Sequence, residues 1–124
     1  MPRTIHLFVF DSLADWEPGY AIAGINTPGF QREPGRYAVR TFSLDGDPVT
    51  TAGGLRVHAD MAMSDVVPDE SAMLIIPGGT AWDEGKNGEV VELAVIDGDV
   101  VHSRSASRWA GVVKPSALWR RSVL

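Results

Sequence analysis

The chain has 124 residues, 44% of them apolar, no cysteine, and a formal net charge of −5. That length suits a single domain, and that apolar share can fill a core, which argues against disorder throughout. The missing thiols exclude a disulfide framework and thiolate metal sites. The apolar runs are far short of a membrane span, and the one that ends at Asp11 is too short for a secretion signal. A cytoplasmic protein is expected.

The charge is unevenly spread. All 16 acidic residues precede residue 100, whereas five of the 11 basic ones, Arg104, Arg108, Lys114, Arg120 and Arg121, follow it. The body therefore reads as an acidic domain and the end of the chain as a basic tail.

Thr4 to Phe10 is nearly all apolar and rich in β-branched and aromatic residues, which predicts a strand buried on both faces. Asp15 is placed to cap a helix that runs to about Asn26, with Pro18 in its first turn, where a missing N–H costs nothing. A Gly/Pro-rich loop follows over Thr27 to Arg36. Tyr37 to Leu44 alternates as a second strand. Asp45-Gly46-Asp47-Pro48 signals a turn, Val49 to Thr51 is short and extended, Gly53-Gly54 breaks the chain, and Leu55 to His58 is a further short strand. Met61 to Val66 predicts a helical turn. Ala72 to Ile76 is the third buried strand, and Trp82 to Val95 has a helical pattern with Val90, Val91, Leu93 and Ala94 as its buried side. Val100-Val101 could begin a fourth strand, but Ser103 to Trp109 fits neither a strand nor an amphipathic helix. This order predicts an α/β fold, with a mostly parallel sheet and helices on both faces.

Two places could carry chemistry. Pro77-Gly78-Gly79 follows a buried strand, and ligands of open parallel sheets bind at the carboxyl ends of strands. Glycines there can leave backbone N–H groups uncovered for an oxyanion. The plain alternative is a tight turn that needs positive φ. Glu17 lies in the first helical turn, beyond the first strand and on the same sheet edge. It could hold a proton or bond a nucleophile, or it could simply complement the helix dipole. His6 is expected to be packed and satisfied, His58 exposed, and the histidines show no metal-ligand spacing. No serine sits in a Gly-x-Ser-x-Gly elbow, and Gly53-Gly54 lacks the spacing of a dinucleotide fingerprint. Five basic residues without a folded frame read as solvated charge, so nucleic acid is not an expected partner.

Taken in order, Leu7-Phe8-Val9-Phe10-Asp11, Ala14-Asp15-Trp16-Glu17, Val49-Thr50-Thr51-Ala52-Gly53-Gly54-Leu55 and Leu74-Ile75-Ile76-Pro77-Gly78-Gly79-Thr80-Ala81-Trp82 resemble the ThiJ/PfpI family of the class I glutamine amidotransferase-like superfamily. The resemblance covers about residues 4 to 95. It implies a flavodoxin-like three-layer sandwich and an amidase-, protease- or amidotransferase-like activity that depends on a cysteine at a strained turn. It also implies that Glu17 contacts that thiol, and that Gly78 and Gly79 form the oxyanion site. No cofactor and no metal is implied.

The resemblance breaks where the nucleophile belongs, between about Val101 and Ala110. There is no cysteine there, no histidine after His102, and no base to activate Ser103, Ser105 or Ser107. The expected organisation is a family-like part over 1–96 and an atypical basic tail over 97–124. An out-of-frame reading of a GC-rich gene from about Val95 onward, or a truncation, would produce such an end. The strand ending at Ile76 should then have an open edge, which favours aggregation or a homo-oligomer.

Three readings follow. The first is an inactive descendant of a cysteine hydrolase, the second a non-catalytic module that binds a small molecule or a partner, and the third a defective fragment. A small-molecule ligand is expected and a membrane is not.

Overall fold

The computed structural model describes residues 2–96, 100–103 and 110–113. The elements are β1 (Arg3–Phe8), α1 (Trp16–Asn26), β2 (Tyr37–Ser43), β3 (Val49–Thr50), β4 (Arg56–Val57), β5 (Met61–Ala62), β6 (Ser71–Ile76), α2 (Thr80–Asp83), α3 (Gly88–Ile96), β7 (Val100–Ser103) and β8 (Ala110–Val113). The main sheet has six strands in the order β5-β2-β1-β6-β8-β7, and β3 and β4 form a separate two-stranded hairpin. β1 pairs in parallel with β2 and β6, and β2 pairs in parallel with β5. This is the flavodoxin-like α/β architecture expected from the sequence.

The apolar run that predicts the first strand is central to the sheet. Ile5, Leu7 and Phe8 in β1 are at most 4% exposed, as a strand covered on both faces requires. Val9 and Phe10 lie beyond the ladder yet stay buried. Val9 N–H still donates to the Phe42 carbonyl at 2.8 Å. Phe8 meets Phe10 and Phe42 with ring centroids 5.0 and 5.3 Å apart, and Trp82 stands edge-on to Phe10 at 5.7 Å. Each such pair adds roughly 0.5–1.5 kcal/mol beyond the area it buries. The cluster forms a stiff floor beneath the carboxyl ends of β1 and β6.

Three expectations are corrected. Met61 and Ala62 are extended and join the sheet beside Phe42 and Ser43, and only Met63–Asp65 forms a helical turn, of the 3-10 kind. Trp82 to Val95 is not one helix. Gly85 (φ 73°) and Asn87 (φ 65°) take left-handed backbone between α2 and α3, which ends the first helix and re-aims the second. Val90 is fully buried on α3 and Leu93 packs against the core, whereas the side chain of Ala94 lies outside the described residues.

The third correction concerns the edge beside β6, expected to be open. It is covered by β8, which pairs antiparallel with Leu74 at Val113 and Ile76 at Gly111, while β7 pairs antiparallel with β8 in turn. Ser103 ends β7. The expectations for 97–99, 104–109 and 114–124 fall outside the described residues.

Candidate functional site

The site is built where β1 runs out. After Phe10 the chain turns at Ser12, which has φ 82°, an uncommon conformation for a residue with a Cβ and costly unless its surroundings enforce it. Here they do. Ser12 N–H donates to the Thr50 carbonyl at 3.0 Å, and its Oγ accepts the Ala81 N–H at 2.9 Å. Leu13 then bridges Gly79 and Ala14 N–H donates to the Gly78 carbonyl at 2.9 Å. The segment after β1 is thus laced to the Pro77-Gly78-Gly79 segment after β6.

Glu17 is the second residue of α1 and half-buried. Its Oε2 accepts the Gly78 N–H at 2.5 Å, a link across 61 residues of sequence. Glu17 and Gly78, singled out separately from the sequence, are therefore in direct contact. The contact alters one expectation, because the Gly78 N–H is engaged by the carboxylate and is not an uncovered donor. Trp82 holds the other side of the segment, its Nε1–H donating to the Pro77 carbonyl at 3.0 Å.

Gly79 is needed for a reason other than turn geometry. Its φ of 173° is ordinary extended backbone. A Cβ there would stand 2.6 Å from both the Ser12 carbonyl oxygen and the Phe10 ring. Close approach of two backbones over an aromatic floor is what demands glycine, not positive φ.

Asp15 stands at the N-cap of α1 but makes no side-chain cap bond. Its carboxylate instead accepts the Thr51 Oγ1–H at 2.5 Å and the Gly53 N–H at 2.7 Å. The Thr51 hydroxyl foremost, and then the Gly53 N–H, hold the Asp15 carboxyl below its ordinary value. The Gly53-Gly54 loop is thereby fastened beside the helix start. Nothing in the local pattern marks this pairing, because Thr51 and Gly53 lie 36 and 38 residues from Asp15.

His6 is 5% exposed and lies 2.7 Å from the Ser71 hydroxyl through Nδ1. That hydroxyl lies 3.0 Å from the Met73 carbonyl, which can only accept. A hydroxyl has one proton, so the chain runs from His6 Nδ1–H to Ser71 and on to Met73, which fixes the neutral tautomer. Burial foremost, and the nearby Arg40 next, press its pKa below the ordinary value, against a weaker pull from Glu70. His6 is packed and satisfied, and His58 is exposed, as expected. Among the described residues no group of three or more His, Asp or Glu is placed to hold a metal, and no helix is long and apolar enough to cross a membrane.

Residues 3–97 match the DJ-1/PfpI family. The uncharacterized protease YoaZ of Bacillus subtilis is 32% identical over 83 residues, which cover 66% of this chain and 40% of that protein. A DJ-1 superfamily protein from Agrobacterium tumefaciens superposes with a TM-score of 0.64 at 29% identity, covering 75% of this chain and 46% of that one. A thiJ/pfpI family protein from Bacillus anthracis gives the same TM-score at 31% identity, covering 77% and 46%. The chain spans less than half the length of these relatives.

Proposed function

The chain belongs to the DJ-1/PfpI family, and from that premise we propose that it is a family domain that binds a polar small molecule at the Glu17/Gly78–Gly79 edge and performs no thiol-dependent turnover. One observation carries the reading. The 124 residues contain no cysteine, while the carboxylate and the glycine segment that would serve a thiol are held together by the Glu17–Gly78 bond. A thiolate is the nucleophile in cysteine hydrolysis, and a serine replaces it only with a base to take its proton. An amidase- or protease-like activity of the family's kind would need a thiol from outside these residues. A cytoplasmic location belongs to the same proposal.

The test pairs turnover with binding. A fluorogenic peptide, a p-nitrophenyl ester and methylglyoxal serve as probes of hydrolase and glyoxalase activity. No turnover above buffer is expected from the chain or from Glu17→Ala. Melting in the presence of a metabolite panel should find compounds that raise the midpoint, and saturation at 100 times Kd adds about 2.7 kcal/mol. Turnover that Glu17→Ala abolishes overturns the proposal in favour of an enzyme.

A further inference from the structure

A cavity of about 380 Å3 lies between the carboxyl-terminal end of α1, the loop of residues 31–36 and the first residue of β2. It sits at the amino ends of the strands, where Tyr37 pairs with Arg3. Glu17 is at the other end of α1, a helix of 11 residues and about 16 Å. The size suits a small ligand. The walls are fixed by the protein itself. The Gln31 side chain donates to the Ile25 carbonyl through Nε2 and accepts the Gly35 N–H through Oε1 at 2.9 Å, so it ties the loop to the helix end. Arg36 pairs with Glu33 at 2.8 Å and lies over the Tyr37 ring, 5.5 Å from its centroid. Ile25 and Tyr37, both half-buried, give the cavity an apolar side.

Two groups in these walls lack partners, and they are of opposite sign. The Arg32 guanidinium makes no hydrogen bond or ion pair among the described residues, whereas the charge of Arg36 is answered by Glu33. Gly24 offers only backbone to the cavity. Its carbonyl has no helical partner, because the residue four places on is Pro28, which has no N–H. The carbonyls on either side are taken, Ala23 by the Thr27 N–H at 3.0 Å and Ile25 by Gln31. The last turn of α1 also holds no basic residue, so no charge on the helix itself answers the negative end of its dipole. The cavity thus has a positive wall, a negative wall and an apolar side.

We propose that this cavity binds the zwitterion of a free α-amino acid with an apolar side chain. The carboxylate meets Arg32, the ammonium group meets the Gly24 carbonyl at the helix end, and the side chain packs on Ile25 and Tyr37. A simple anion would meet the negative helix end and a simple cation would meet Arg32, so both charges are required. The inference does not rest on the Glu17 reading, because the two places share no residue.

Calorimetric titration of the full chain with L-phenylalanine tests it, against 3-phenylpropionate, which lacks the ammonium group, and L-phenylalaninamide, which lacks the carboxylate. One-to-one binding of phenylalanine with Kd below about 1 mM is expected. Each analogue should bind about fivefold more weakly, the upper end for exposed charges. Arg32 is exposed, so Arg32→Gln should leave the fold intact. It should weaken phenylalanine about fivefold and leave the amide unchanged. Glu17→Gln should bind like the parent. Three results would each overturn the proposal: phenylalanine shows no saturable binding, either analogue binds as tightly, or Arg32→Gln binds like the parent. Loss of binding in Glu17→Gln would also overturn it, by moving the amino acid to the Glu17 edge.

Discussion

Two glycine loops are fastened by carboxylates from the same stretch of chain, and they are fastened differently. Asp15 takes the Gly53 N–H at 2.7 Å and Glu17 takes the Gly78 N–H at 2.5 Å. At Gly53, the atoms that would crowd a Cβ belong to the Asp15 carboxylate itself, at 3.0–3.1 Å. That group can turn away. At Gly79, the crowding atoms are a backbone oxygen and a buried ring at 2.6 Å, and neither has anywhere to go. The same bond type therefore makes an adjustable clasp on an exposed loop and a rigid seam over the core. The candidate site sits on the seam.

The sharpest way to break this comparison is to add one methyl group to each loop. Gly79→Ala should cost about 3 kcal/mol, at the upper end of overpacking, because the Ser12 carbonyl and Phe10 would both have to move. Gly53→Ala should cost below about 1 kcal/mol, as surface changes do. Urea denaturation of the two variants reads the difference directly. Equal costs would mean that the seam is not rigid.

Part of this contrast was legible in the sequence, and the reason it was only part is physical. The buried strand over Ala72 to Ile76, the helix end near Asn26 and the placing of Glu17 on the same sheet edge as the glycine pair all follow from local pattern and from the rule that sheet edges gather ligands. The clasp of Asp15 on Thr51 and Gly53 does not, since a helix-start acid looks the same whether it caps or reaches across space. The plain alternative for the glycine pair, a turn that needs positive φ, does not hold at Gly79, because a close approach of two backbones demands glycine there and leaves no local trace. The break between α2 and α3 did leave one, in Gly85 and the Asn87-Gly88 dipeptide, and the continuous apolar spacing on either side masked it. β8 was not expected, because its pairing with β6 depends on partners more than 30 residues away.

Removing the carboxylates probes the bonds rather than the space. Glu17→Ala should destabilise by about 2 kcal/mol, the scale for a half-buried hydrogen bond to a charged group. Glu17→Gln should lose less, since its amide oxygen can still accept the Gly78 N–H. Asp15→Asn should lose less than Glu17→Ala. Thermal melts at neutral pH rank the three, and a larger loss at Asp15 would reverse the comparison. Trp82→Phe should cost about 1 kcal/mol, the ordinary value of one hydrogen bond. It removes the Nε1–H bond to Pro77 while keeping an aromatic ring over Phe10, so its effect on the seam should be smaller than that of Glu17→Ala.

Acid gives the smallest effects and separates the clasp from the interior. The Asp15 carboxyl is held below 3.8, its ordinary value, by Thr51 and Gly53. Its contribution is present above 3.8 and is lost as pH falls through the lowered folded value, where the clasp must take a proton. His6 acts in a different window. Its folded pKa lies below 6.5, so in acid the unfolded chain takes a proton more readily than the folded one. Stability is therefore whole above 6.5 and declines as pH falls from 6.5 toward the folded value. Urea midpoints measured from pH 7.5 down to pH 3 should show two declines. His6→Asn, which can still donate toward Ser71 but does not titrate, should remove the upper one. Asp15→Asn should remove only the lower one. If His6→Asn kept the upper decline, burial of the imidazole would not be its cause, and the acid response would have to be assigned to groups outside β1.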